Sequence, residues 1–115
     1  MQELIKVSSF QVAPAELEAV LLTHDAIADA AVVGVSSSFS GKELVRAYIV
    51  VKPEAQGRVT EQDVVRFMEG KVARYKRLTG GAKFVDQIPK SPAGKILRKV
   101  LKEWAKKDGM VRAKL

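Results

Sequence analysis

The apolar positions change period several times along the chain, and each change marks an expected element. Leu4–Val7 and Phe10–Val12 read as short extended segments around Ser8-Ser9, which predicts a hairpin or bulge. Pro14 follows; its fixed φ and missing N–H suit the first turn of a helix, so a helix is expected to open there. Leu17, Val20 and Leu21 then recur at helical spacing, with Glu16 and Glu18 near the positive helix start. Ala30–Val35 is an apolar run of β type. Leu44–Val51 is a second, placing Val45, Ala47, Ile49 and Val51 on one face. The serine-rich stretch from Gly34 to Gly41 is the expected loop between them.

Thr60 and Asp63 have the spacing of a capping box and predict a second helix with Val64, Phe67, Met68 and Val72 on its apolar side. Gly80-Gly81 should break the chain before a strand at about Lys83–Gln87, and Pro89 to Gly94 reads as a loop. A last helix is expected to begin near Lys95, burying Leu97, Val100, Leu101 and Trp104; His24 is expected near the end of the first helix, where its charge suits the dipole. Together these elements predict an α+β domain: a small, mostly antiparallel sheet flanked by three helices, with a short N-terminal hairpin.

Composition narrows the chemistry. The chain has 115 residues, 47% of them hydrophobic, enough for one domain with a core. With no cysteine and one histidine, it has no disulfide framework, no thiolate metal site and little for a His-based metal site or triad. No metal ligands are expected. No apolar run approaches the roughly 18 residues of a membrane span, and residues 1–6 lack the pattern of a signal peptide, so a reducing, intracellular compartment is the expectation. The net charge of +7 is unevenly placed: residues 1–70 sum to −4 and residues 71–115 to +11. The basic part either faces an anion or is a solvated surface. Its only aromatics are Tyr75, Phe84 and Trp104, too few for base stacking, and no nucleic-acid-binding motif is present.

The most informative stretch is Pro89-Lys90-Ser91-Pro92-Ala93-Gly94-Lys95-Ile96-Leu97-Arg98-Lys99. Two prolines and a glycine shape an exposed loop, and Lys95 is expected where that loop becomes a helix. A lysine in the first helical turn opposes the helix dipole, which suits a side chain reaching into a partner site better than a stabilising one. Gly94-Lys95 is followed by Ile96 rather than Ser or Thr, and the earlier glycine is missing, so this is not a phosphate-cradling P-loop.

Ile5-Lys6-Val7-Ser8-Ser9-Phe10-Gln11-Val12-Ala13-Pro14-Ala15-Glu16-Leu17-Glu18 resembles the Ile-Lys-x-x-Gly-Phe/Tyr-Gln-Val-Ala-Pro-Ala-Glu-Leu-Glu segment of adenylate-forming enzymes: acyl- and aryl-CoA synthetases, coumarate–CoA ligases and firefly luciferases. Pro89–Lys99 is similar to the segment at the far end of their mobile C-terminal domain, and Tyr75-Lys76-Arg77-Leu78 and Phe84-Val85-Asp86 fit between. The resemblance covers essentially the whole chain. It implies that residues 1–115 are that C-terminal domain, and that the large N-terminal domain holding the ATP and acyl pockets is absent. A fragment of this kind is expected to be inactive alone and to bind no cofactor by itself.

The family's chemistry implies ATP, with Mg in the full-length enzyme, and CoA. A carboxylate attacks the α-phosphate of ATP; the C-terminal domain then rotates, and the CoA thiol displaces AMP. The lysine matching Lys95 serves the first step. The residues matching Lys6 and Gln11 serve the second, and Ser8, Ser9 and Phe10 belong to the segment lining the pantetheine channel. Arg74, Lys76 and Arg77 are either contacts for CoA phosphates or a solvated face. The family usually has glycine where this chain has Ser9, and luciferase-like members often have lysine at Ser8; Ser9 is expected to narrow that channel or stiffen the turn. The hinge position aligns with Gln2. The implied partners are the N-terminal adenylation domain, the acyl-adenylate and CoA. Ala113-Lys114-Leu115 has the small–basic–leucine form of a peroxisomal import signal, which implies the import receptor as a partner and the peroxisome as location. A luciferase-type oxygenase and a free-standing basic binding module are the alternatives.

Overall fold

The computed structural model describes residues 4–7, 9–36 and 43–113, with backbone alone for the last six. The chain opens with the expected hairpin: β1 (Ile5–Val7) pairs antiparallel with β2 (Phe10–Val12), Ile5 opposite Val12, Lys6 opposite Gln11 and Val7 opposite Phe10. A two-stranded hairpin is marginal by itself. This one is held because Ile5 and Val12 point inward and are almost fully buried, roughly 1.5–3 kcal/mol for each such side chain. The two-residue alternation of strands then turns Lys6 and Gln11 outward.

Helix α1 (Pro14–Leu21) starts on Pro14 as expected, without a side-chain cap. Eight residues do not sustain a helix in water; α1 stands because Pro14, Leu17 and Leu21 are buried against the sheet. Strands β3 (Ile27–Ser36) and β4 (Glu43–Val51) form a long antiparallel pair. The strand β3 extends past the expected Ala30–Val35 at both ends, so Gly34 lies inside a strand instead of opening the loop; positions 37–42 of that loop lie outside the described residues. Helix α2 (Glu61–Glu69) has the expected capping box, with Thr60 and Asp63 exchanging two hydrogen bonds. It carries the chain back across the sheet, so β5 (Ala82–Phe84) pairs parallel with β4. The sheet order is β3-β4-β5. The strand expected at Lys83–Gln87 is thus earlier and shorter, because the chain leaves the sheet after the Val85 N–H bonds to Ile49.

Both faces of β3 and β4 are covered. Val32, Val45, Ala47 and Ile49 pack with α1, α2 and the hairpin. Ala31, Val33 and Tyr48 pack on the other face with Ile88, Ile96 and helix α3 (Arg98–Ala113) through Leu101 and Trp104. The class is therefore α+β, three helices about a small mixed sheet with an N-terminal hairpin. Helix α3 begins at Arg98 and not near Lys95, and Leu97 is exposed rather than buried. The reason is an extended pairing of Lys90 with Ile96, which keeps that stretch out of the helix and turns Ile96 inward in place of Leu97. His24 follows α1, but its Nδ1 accepts from the Ala26 N–H at 3.0 Å and its ring meets Phe67 edge-on. Through that nitrogen it serves the turn as an acceptor. Among the described residues, no helix is long and apolar enough to cross a membrane.

Candidate functional site

Lys95 sits at the tip of a small hairpin between β5 and α3. The Gly94 N–H bonds to the Ser91 carbonyl at 2.8 Å and closes a turn with Pro92 second in line; Gly94 follows with φ +86°, a conformation other residues resist. Ser91 secures Lys95 twice: its N–H donates to the Lys95 carbonyl at 2.8 Å, and its hydroxyl oxygen accepts from the Lys95 N–H at 3.2 Å. The Leu97 N–H bonds to Pro89 at 2.9 Å below them. The backbone of Lys95 is therefore fixed while its side chain is exposed, and among the described residues the ammonium has no ion-pair partner. Lys95 lies three positions before α3, so the helix dipole is not what sets it apart. Its exposure on a hydrogen-bonded tip does.

Two ion pairs flank this hairpin, one to β3 and one to α1. Lys90 Nζ meets Asp29 Oδ2 at 2.7 Å. Beyond the other arm, Arg98 Nη2 meets Glu18 Oε2 at 2.7 Å. Sequence reasoning missed both pairs. A signal for the second was present, since Glu18 falls on the buried side of α1 with Leu17 and Leu21, and a carboxylate there requires a partner.

Lys6 and Gln11 are brought together as a directly opposed cross-strand pair, both exposed. The Lys6 N–H donates to Glu43 Oε1 at 3.3 Å, tying β1 to the start of β4. Ser9 is exposed in the hairpin turn; Ser8 and Gln2 lie outside the described residues. Phe10, 48% exposed, stacks on Tyr75 with ring centroids 4.2 Å apart. Lys76 leans over the Tyr75 ring and donates to Glu16 Oε1 at 2.6 Å, and that bond holds its proton above the usual lysine range. Its ammonium is thus already engaged by a carboxylate.

The structure does not bring Lys95 to Lys6 and Gln11. The hairpin of Lys6 is seated through Ile5 and Val12 on one face of the sheet, whereas Ile96, beside Lys95, packs on the opposite face. One small domain thus carries two exposed lysine-bearing hairpins, one seated on each side of its sheet. Residues 16–95 match the family model described as the AMP-binding enzyme C-terminal domain.

The chain belongs to this family.

Relatives agree with the match. The acyl-CoA synthetase ACTT5 of Alternaria alternata is 55% identical over 106 residues, 90% of this chain and 18% of that protein. A probable 4-coumarate–CoA ligase of Dictyostelium discoideum is 47% identical over 103 residues, again 90% of this chain and 18% of the relative. Among solved structures, apo MatB from Rhodopseudomonas palustris superposes with a TM-score of 0.81 at 29% identity, covering 92% of this chain and 20% of that one. The chain spans about a fifth of the length of these curated relatives.

Proposed function

We propose that residues 1–115 act as the mobile C-terminal domain of an AMP-forming acyl- or aryl-CoA ligase, working against a separate N-terminal adenylation domain. In the first half-reaction a carboxylate oxygen attacks the α-phosphorus of ATP, and the bond to pyrophosphate breaks. Lys95 supplies a positive charge, from a tip whose backbone is already ordered, to the oxygens on which charge accumulates. In the second, the CoA sulfur attacks the acyl carbon and AMP leaves. Rotation of the domain between the two steps presents the Lys6–Gln11 face for the second, with Ser8, Ser9 and Phe10 along the pantetheine arm. Arg74, Lys76 and Arg77 are the candidates for contacts with CoA phosphates, Lys76 while also bonded to Glu16.

The observation that carries the reading is the seating of the two exposed hairpins on opposite faces of one sheet, an arrangement suited to presenting them in turn. The test is Lys95→Ala in the complete ligase. Adenylation is expected to fall about 10²–10³-fold, with thioesterification of preformed acyl-adenylate nearly intact. An adenylation rate close to wild type removes Lys95 from the mechanism. Peroxisomal import through Ala113-Lys114-Leu115 belongs to the same proposal; Lys114 and Leu115 lie outside the described residues. A fluorescent protein ending in these three residues should enter peroxisomes, and a diffuse signal overturns it.

A further inference from the structure

We infer that the Glu18–Arg98 pair, closed onto Val32, is a positioning device for Lys95; the inference rests on the reading of Lys95 given above. Strand β3 is an edge of the sheet, and the peptide groups of Val32 turn away from β4. Glu18 Oε2 accepts from the Val32 N–H at 2.8 Å, and Arg98 Nε donates to the Val32 carbonyl at 3.3 Å. Arg98 Nη2 also donates to both Glu18 oxygens, at 3.0 and 2.7 Å. Two side chains from α1 and α3 thus take the place of a neighbouring strand at this point. Glu18 is 8% exposed, so these bonds form largely away from water, where they are strong and directional.

The consequence for Lys95 follows from chain geometry. Arg98 is the first residue of α3 and comes directly after the hairpin, whose other arm is held to β3 by Lys90 and Asp29. Both ends of the hairpin therefore rest on one strand, and the turn bonds between Ser91 and Lys95 span the short distance between them. Lys95 reaches its target only when a whole domain swings, so the placement of its backbone within the domain must be set beforehand. A displacement on the order of 1 Å is enough to cost about 10²-fold in rate. Arginine is required for this: its planar fork serves the Val32 carbonyl and the Glu18 carboxylate together, whereas a lysine provides only a point charge on a flexible stem.

Arg98→Lys and Glu18→Gln in the complete ligase test the inference, with Lys95→Ala alongside. Pyrophosphate release in a single turnover, thioesterification of preformed adenylate and thermal melting are measured for each, with the rates taken well below the melting midpoint. Arg98→Lys should slow adenylation about 10–100-fold while leaving thioesterification near wild type. Glu18→Gln, which keeps an acceptor for the Val32 N–H, should show the same split in weaker form and serves if Arg98→Lys does not fold. Loss of both half-reactions in parallel with melting temperature overturns the inference in favour of a purely structural pair. Normal adenylation in Arg98→Lys beside slow adenylation in Lys95→Ala overturns the positioning alone. Normal adenylation in Lys95→Ala overturns the underlying reading and the positioning with it.

Discussion

A Cβ at Gly34 would run into the Glu43 carboxylate and come within 3.1 Å of Ile5 Cγ2. The empty space lets Glu43 lie across β3 and hold the Lys6 N–H. Gly34→Ala should push the carboxylate aside, with loss of about 1 kcal/mol for that bond; a lower melting temperature and faster amide exchange at Lys6 are the checks. Ser9 differs in being exposed in the turn. Ser9→Gly in the complete ligase should speed thioesterification more than adenylation, and equal effects on both would sink the idea that it obstructs the channel. At this scale the sequence disclosed Lys6, Gln11 and Lys95 through the resemblance of their motifs. It did not disclose Gly34, Glu43 or Arg98, whose roles depend on partners brought close only by the fold, and for Glu18 it carried only the signal of a carboxylate on the buried side of a helix.

The elements set by local chemistry were legible and those set by distant pairing were not. The capping box of α2 needs only Thr60 and Asp63, three residues apart, and it formed as expected. Bonds from Thr60, first its backbone N–H and then its hydroxyl, hold the Asp63 carboxyl below the usual 3.8. The sign follows: its contribution is fully present above 3.8 and is lost as pH falls through the lowered value. Melting temperature should therefore drop less steeply below pH 4 in Asp63→Ala than in wild type, and parallel acid limbs would show that the box adds nothing. Helix α3 starts at Arg98 and not near Lys95 because the apolar spacing of Leu97 with Val100, Leu101 and Trp104 is local, while the pairing of Lys90 with Ile96 is a tertiary fact. Breaking the pair at that helix start by Arg98→Ala leaves Glu18 buried without its counter-charge. The expected cost is about 3 kcal/mol, the low end of the range for a buried pair, since the Arg98 side chain is 25% exposed; chemical denaturation measures it.

Across the whole molecule the sheet acts as a partition, with one exposed lysine hairpin seated on each side. Lys6→Ala and Gln11→Ala in the complete ligase should slow thioesterification and spare adenylation, the converse of Lys95→Ala. If either variant slowed adenylation as much, the partition would have no mechanistic meaning. The β3 edge is blocked at Val32. A bare strand margin invites neighbouring chains to zip onto it in crowded solution. Glu18 and Arg98 occupy the peptide groups of Val32 with a carboxylate and a guanidinium, and an incoming backbone would have to displace both to add a strand at that point.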